Sequence, residues 1–189
     1  PHIKVSADLM SKGYREKWLE MGSHTGTHMD APAHMLPEGM TLDHLPVSRF
    51  TGIAALVYIP VEMSLIETSL LCEAEGQIKT ADFVLFVTGW SKFWGNDSYF
   101  GGFPVLSEDA ARWLASFPLK GIGVDTISVD PVESKSFPVH HILFEAGMVI
   151  VENLVFPDNF NARRVHFHCF PLKIENADGS PVRAVASEL

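Results

Sequence analysis

The chain has 189 residues, 47% hydrophobic and 20% charged, and its 14 basic and 23 acidic side chains give a net charge of -9. That length suits one domain with a continuous apolar core, and the acidic balance argues against nucleic acid or an anionic membrane surface as a partner. The longest apolar stretches, such as 52–59 and 83–87, are too short to cross a bilayer, there is no signal-peptide pattern, and Cys72 and Cys169 read as buried free thiols of a cytoplasmic protein.

In chain order, the segment from His24 to His34 is interrupted by Gly26 and Pro32 and is expected to be irregular or extended, not helical. A β-branched, apolar run from Ile53 to Ile59 predicts a strand. Ser64-Leu65-Ile66-Glu67 has the form of a capping box, with Ile66, Leu70 and Ala74 on one face, and predicts a helix ending before Gly76. Phe83 to Val87 predicts the next strand. A second helix is expected after Ser107, which can cap it while Glu108 and Asp109 favour the positive end of its dipole. Further strands are expected at Ile122 to Val129, Met148 to Val151, Val165 to Phe170 and Val182 to Ala186. Several of these are apolar at nearly every position, so helices or the far side of a closed sheet should cover both faces. The expected fold is α/β, a single domain over residues 1–189.

The chemistry concentrates in His24-Thr25-Gly26-Thr27-His28-Met29-Asp30-Ala31-Pro32-Ala33-His34, where four potential ligands occupy eleven residues. Imidazole and carboxylate together suit Zn²⁺, Mn²⁺ or Fe²⁺, and a site of two histidines and one carboxylate leaves positions open for water and substrate. Gly26 permits backbone angles closed to other residues, and Pro32 stiffens the chain around the ligands. Thr25 and Thr27 serve either as hydrogen-bond donors to the ligands or as turn residues. A second group, His140-His141 followed by Glu152 at the end of an apolar strand, reads equally from residues alone as a surface pair or as ligands, although a carboxylate closing such a strand is costly unless paired.

The His24–His34 block, followed by Gly39-Met40-Thr41-Leu42-Asp43, resembles the signature of the cyclase or kynurenine formamidase-like family of metal-dependent hydrolases. The likeness continues through Thr88-Gly89-Trp90, Gly123-Val124-Asp125-Thr126, the stretch His140 to Leu154, and Asp178-Gly179-Ser180-Pro181-Val182-Arg183. This resemblance implies a first metal on His24, His28 and Asp30, a second on Asp30, His140 and Glu152, and a catalytic role for His34. It implies one or two ions, with Zn²⁺ expected and Mn²⁺ the other candidate, a β-barrel-like mixed sheet flanked by helices, and a homodimer or homotetramer. The N-terminal strand usual in the family is absent or shortened in this chain.

The reaction so implied is hydrolysis of an aryl formamide such as N-formylkynurenine by hydroxide generated on the ion, with His34 giving a proton to the departing nitrogen. Hydrolysis of a cyclic amide such as isatin, a lyase or cyclase reaction, and a non-catalytic metal-stabilised scaffold are the alternatives. Trp90 and Phe93, with Trp94 and Phe103, are candidates for an aromatic substrate wall, against the plainer reading of core packing. His166 and His168 should share one strand face, Asp43 and Asp125 should make structural hydrogen bonds, and His141 has no assigned role.

Overall fold

Alternating side chains on a few short strands divide the core into two halves. The computed structural model describes residues 1–189, whose regular elements in chain order are β1 (His2–Ala7), α1 (Leu9–Lys12), β2 (Glu16–Glu20), β3 (His28–Asp30), β4 (Thr51–Tyr58), β5 (Leu65–Ile66), α2 (Thr68–Glu73), α3 (Glu75–Ile78), β6 (Phe83–Val87), β7 (Val105–Leu106), α4 (Glu108–Ala115), β8 (Gly121–Val124), α5 (Pro138–Glu145), β9 (Val149–Glu152), β10 (Arg164–His168), β11 (Gly179–Pro181) and β12 (Val185–Ser187). Eight strands form one mixed sheet in the order β11-β3-β9-β8-β6-β4-β10-β12. The central four run parallel, and antiparallel pairs flank them on either side.

On one face, Ala55, Val57, Val84, Phe86, Ile122 and Ile150 pack against α4 and α5 through Ala111, Leu114, Val139 and Leu143. Their neighbours Ala54, Leu56, Phe83, Leu85, Val149 and Val151 point the other way, where the sheet curls into a half-barrel filled with Met29, Val165 and Phe167. Burial on both faces is why these strands are apolar at consecutive positions. The expected α/β domain with a barrel-like sheet is borne out, with the barrel left open between β11 and β12.

Several local expectations are corrected. Leu65 and Ile66 pair as a strand with Val105 and Leu106, so the helix begins at Thr68 and the Ser64 capping box does not form. The strand expected from Ile122 to Val129 stops at Val124, because Asp125 turns inward to accept hydrogen bonds from Thr88 N at 3.1 Å, Thr88 Oγ1 at 2.6 Å and Gly89 N at 2.8 Å. Of the run Val182 to Ala186, Val182 makes only an isolated bridge to Pro171, and only Val185 and Ala186 belong to a strand, β12. Both cysteines are free, but Cys72 lies exposed while Cys169 is buried. The Ser107 cap forms as expected, accepting from Ala110 N at 3.1 Å.

Sequence reading did not anticipate the hairpin of β1 and β2, which pairs Ile3 with Leu19 and Lys4 with Trp18. Every residue in its two strands except Ala7 is exposed. Nor did it anticipate α5, where Pro138 occupies the first helical position, a place that suits its fixed φ and missing N–H.

Candidate metal centre

The centre is assembled by the pairing of β3 with β9. Their antiparallel register places His28 directly opposite Glu152 and Asp30 opposite Ile150. His24 reaches the same point from the preceding turn, where Gly26 adopts φ 67, and Gly179 on β11 lets it lie close. A Cβ on Gly179 would stand 2.5 Å from Cε1 and 2.7 Å from Nε2 of His24. His140 comes from the first turn of α5, which Asp130 holds by accepting from Val139 N at 3.1 Å and His140 N at 3.0 Å. Phe137, just before that helix, adopts the left-handed region at φ 45.

Two trios of donor atoms result, His24-His28-Asp30 and Asp30-His140-Glu152, with the atoms of each within 4.8 Å of one another and Asp30 common to both. The spacing suits a cation. Donors bound to one tetrahedral Zn²⁺ at about 2.0–2.1 Å lie about 3.3 Å apart, and here His28 Nε2 is 3.2 Å from Asp30 Oδ1, while His140 Nε2 is 3.4 Å from Glu152 Oε1. Oε1 of Glu152 is buried without a hydrogen-bond partner, an orphan that a cation would satisfy. The residues present therefore fit one or two divalent ions.

Each imidazole also has its other nitrogen fixed. His28 Nδ1 donates to the Gly26 carbonyl at 2.8 Å, His140 Nδ1 to Asp130 Oδ2 at 2.6 Å, and His24 Nε2 to Asp178 Oδ2 at 3.0 Å. Such partners choose the tautomer and aim the remaining nitrogen inward. His28 and His140 thus present Nε2, whereas His24 presents Nδ1, 2.5 Å from Asp30 Oδ1.

Burial opposes protonation of His24 and His140, but Asp30 and Asp178 around the first, and Asp130 and Glu152 around the second, outweigh it and raise both to about 9. Burial would likewise raise Asp30, yet His24 and His28 hold its carboxyl well below the usual range. Glu152 goes the other way, pushed up to about 7 by burial and by the neighbouring Asp30. Metal binding at such donors would release the protons they hold.

A pocket of about 660 Å³ opens above these groups, lined also by His34, Met35, Trp94, Phe100 and Phe137. His34 stands at the end of the turn Pro32–His34, its ring centroid 4.0 Å from that of His24, and burial lowers its pKa. All six residues expected at the centre, His24, His28, Asp30, His34, His140 and Glu152, thus meet in one pocket. The Trp90 and Phe93 rings pack on each other at 4.7 Å, Trp90 lies against Phe103 and donates to the Tyr99 carbonyl, and neither is among the residues that line this pocket. His166 and His168 lie on β10 away from the centre, and Asp125 makes the structural hydrogen bonds expected of it.

Sequence reasoning missed Asp130, Asp178 and Asn153. Asn153 follows Glu152 at φ 57, a conformation Asn tolerates, and bridges the Gly26 carbonyl and the Tyr99 hydroxyl at 3.0 and 2.6 Å. Nothing in the spacing of Asp130 or Asp178 points to a histidine partner, though Asn after a strand-ending Glu was a signal for a turn at that point. If Asp130 aims His140, Asp130→Asn should weaken metal affinity by about 10–100-fold in competition with a chromophoric chelator, and an unchanged affinity would remove that role.

Comparison with known proteins identifies the family and the fold. Residues 3–131 match the Cyclase family model. A kynurenine formamidase of Salinibacter ruber is 34% identical over 167 residues, which are 88% of this chain and 77% of that protein. Among solved structures, one described as a potential metal-dependent hydrolase with cyclase activity superposes with a TM-score of 0.80 at 31% identity, covering 97% of this chain and 85% of the other. Isatin hydrolase A of Labrenzia aggregata superposes at 0.86 with 25% identity, covering 98% and 82%. The protein described here belongs to the cyclase family.

Proposed function

We propose that this chain is a metal-dependent hydrolase of C–N bonds other than peptide bonds, with an aryl formamide such as N-formylkynurenine as substrate. The observation that carries the reading is the convergence of three imidazoles and two buried carboxylates beneath a pocket that also holds His34. Kynurenine formamidases among the relatives point to the substrate class. Residues 1–189 act as one domain.

His24, His28 and Asp30 would hold one cation, and Asp30, His140 and Glu152 a second, with Zn²⁺ the ion that best suits nitrogen and oxygen donors and Mn²⁺ the other. When bound, the ion supplies Lewis acidity, polarising the amide carbonyl and making water a stronger acid. The side chains do the rest. Met35, Trp94, Phe100 and Phe137 offer an apolar wall for an aryl ring and limit water around it. His34, whose burial favours the neutral imidazole, takes a proton from the attacking water and delivers it to the departing nitrogen. Asp130, Asp178 and the Gly26 carbonyl keep the ligand rings from turning.

No helix is long and apolar enough to cross a membrane, and the free thiols suit the cytoplasm as the site of action. The exposed Ile3, Val5, Trp18 and Leu19 of the β1–β2 hairpin offer apolar surface that a second copy would cover in a homodimer or homotetramer, since a lone two-stranded ribbon is only marginally stable. Sedimentation should read two or four copies; a monomer at every concentration would refute that assembly.

The chelated protein should fail to hydrolyse N-formylkynurenine and recover when Zn²⁺ or Mn²⁺ is returned, and full turnover in protein shown by elemental analysis to be metal-free would end the proposal. His34→Ala should keep its metal and lose about 10²–10⁴-fold in kcat; parental kcat in that variant would remove His34 from the proton transfer.

A further inference from the structure

A third trio of donors lies outside the two already described. His24, His34 and Asp178 bring one nitrogen each and a carboxylate oxygen within 4.8 Å of one another, at the mouth of the pocket. Asp178 Oδ2 is 3.0 Å from His24 Nε2 and 3.5 Å from His34 Nδ1. These edges bracket the separation of about 3.3 Å that a tetrahedral Zn²⁺ imposes on its ligands. All three side chains are part-exposed, at 25%, 28% and 47% for His24, His34 and Asp178, so a hydrated cation can reach them from solvent and keep water in the remaining position.

The frame around them is fixed. The carbonyl of Asp178 accepts from Ala31 N at 2.8 Å, the His34 N–H donates to the Ala31 carbonyl at 2.9 Å, and Gly179 leaves room for the His24 ring. His24 is the hinge of the arrangement: Nδ1 faces the inner carboxylate Asp30 and Nε2 faces outward to Asp178.

We propose that divalent cation in excess of the inner complement binds at this outer position, on His34 Nδ1, Asp178 and, where its ring is free to give it, His24 Nε2, and that this binding shuts off turnover. Binding at Nε2 of His24 displaces the proton now shared with Asp178 to solvent, and binding at His34 likewise requires that Nδ1 carry none. A histidine ligated through Nδ1 and carrying its proton on Nε2 has no free nitrogen left to accept one. His34 then cannot cycle between its neutral and protonated forms. The enzyme is thereby active only within a window of cation supply, with the inner centre filled and the outer position empty.

The cation-binding half stands by itself, while the loss of turnover rests on the hydrolase reading. The test starts from protein loaded to its inner complement and adds Zn²⁺ alone in increasing molar excess. Expected results are one additional ion per chain by calorimetry and elemental analysis, an anomalous-scattering peak at the Zn edge between His34 and Asp178, and a fall in rate of about 10²-fold at saturation, the scale of a lost proton transfer. Asp178→Asn and His34→Ala should each bind one ion fewer than the parent when loaded at Zn²⁺ concentrations that fill the inner complement, which Asp178→Asn holds about 10–100-fold more weakly, and whatever activity Asp178→Asn retains should no longer fall with excess Zn²⁺. An extra ion located elsewhere, or none at all in the parent, would overturn the outer site, as would undiminished uptake by both variants. If one variant fails to fold, the other and the anomalous map of the parent still decide. Zn²⁺ uptake at His34 and Asp178 in a protein that hydrolyses no formamide would keep the site and defeat the hydrolase reading.

Discussion

The structure depends on the register between two short, fully buried strands. Because side chains alternate along a strand, the pairing of β3 with β9 that sets His28 opposite Glu152 also turns Asp30 to the same side as His28 and sends Met29 and Val151 into the core between them. A slip of one residue would bury the side chains of His28 and Asp30 in the apolar interior and expose Met29 to the pocket, and the free energy of that exchange is what locks the register. The parallel strands behind β9 hold it in turn, since Gly121, Ile122 and Gly123 of β8 pair with Val149, Ile150 and Val151. Core and centre are thus two consequences of one alternation.

Burying Asp30 and Glu152 side by side is costly unless positive charge sits between them. The imidazoles of His24 and His28 supply it for Asp30, whose carboxyl they hold well below the usual range, while burial and the neighbouring Asp30 push Glu152 up. The second partners of the rings matter for the same reason. With Asp130, Asp178 and the Gly26 carbonyl occupying the outer nitrogens, the inner ones are left facing inward without a further choice of tautomer. The centre is preorganised by hydrogen bonds that lie outside it.

How much of this was legible in the sequence divides along physical lines. The density of ligands between His24 and His34 was visible because a turn and a three-residue strand can gather them locally, and Gly26 and Pro32 marked that segment as non-helical. The strands were legible from their unbroken apolar character. His140 and Glu152 were read as candidate ligands only through resemblance, since a helix and a strand separated in the chain meet only in the folded sheet. Asp130 and Asp178 were invisible as partners for the same reason: a lone Asp carries no local signal of which ring it will face. Ser64 was misread because a capping-box pattern describes a helix start in isolation, whereas pairing with Val105 and Leu106 claimed Leu65 and Ile66 first. Aromatic composition does not tell a pocket wall from a packed pair: Trp90 and Phe93 pack together, and Trp94, next in the chain, lines the pocket.

Phe137 shows what such a centre asks of its scaffold. A bulky residue held at φ 45 stores about 1–3 kcal/mol of backbone strain, yet this is the torsion that swings the chain into α5 and delivers His140, and the Phe137 ring lies edge-on to the His140 imidazole at 5.9 Å. Relaxing the backbone with glycine would strip away the ring that packs there, and keeping the ring retains the strain. At this one dihedral, thermal robustness and ligand placement pull in opposite directions, so a search for hardier versions of the fold would run into the chemistry here first.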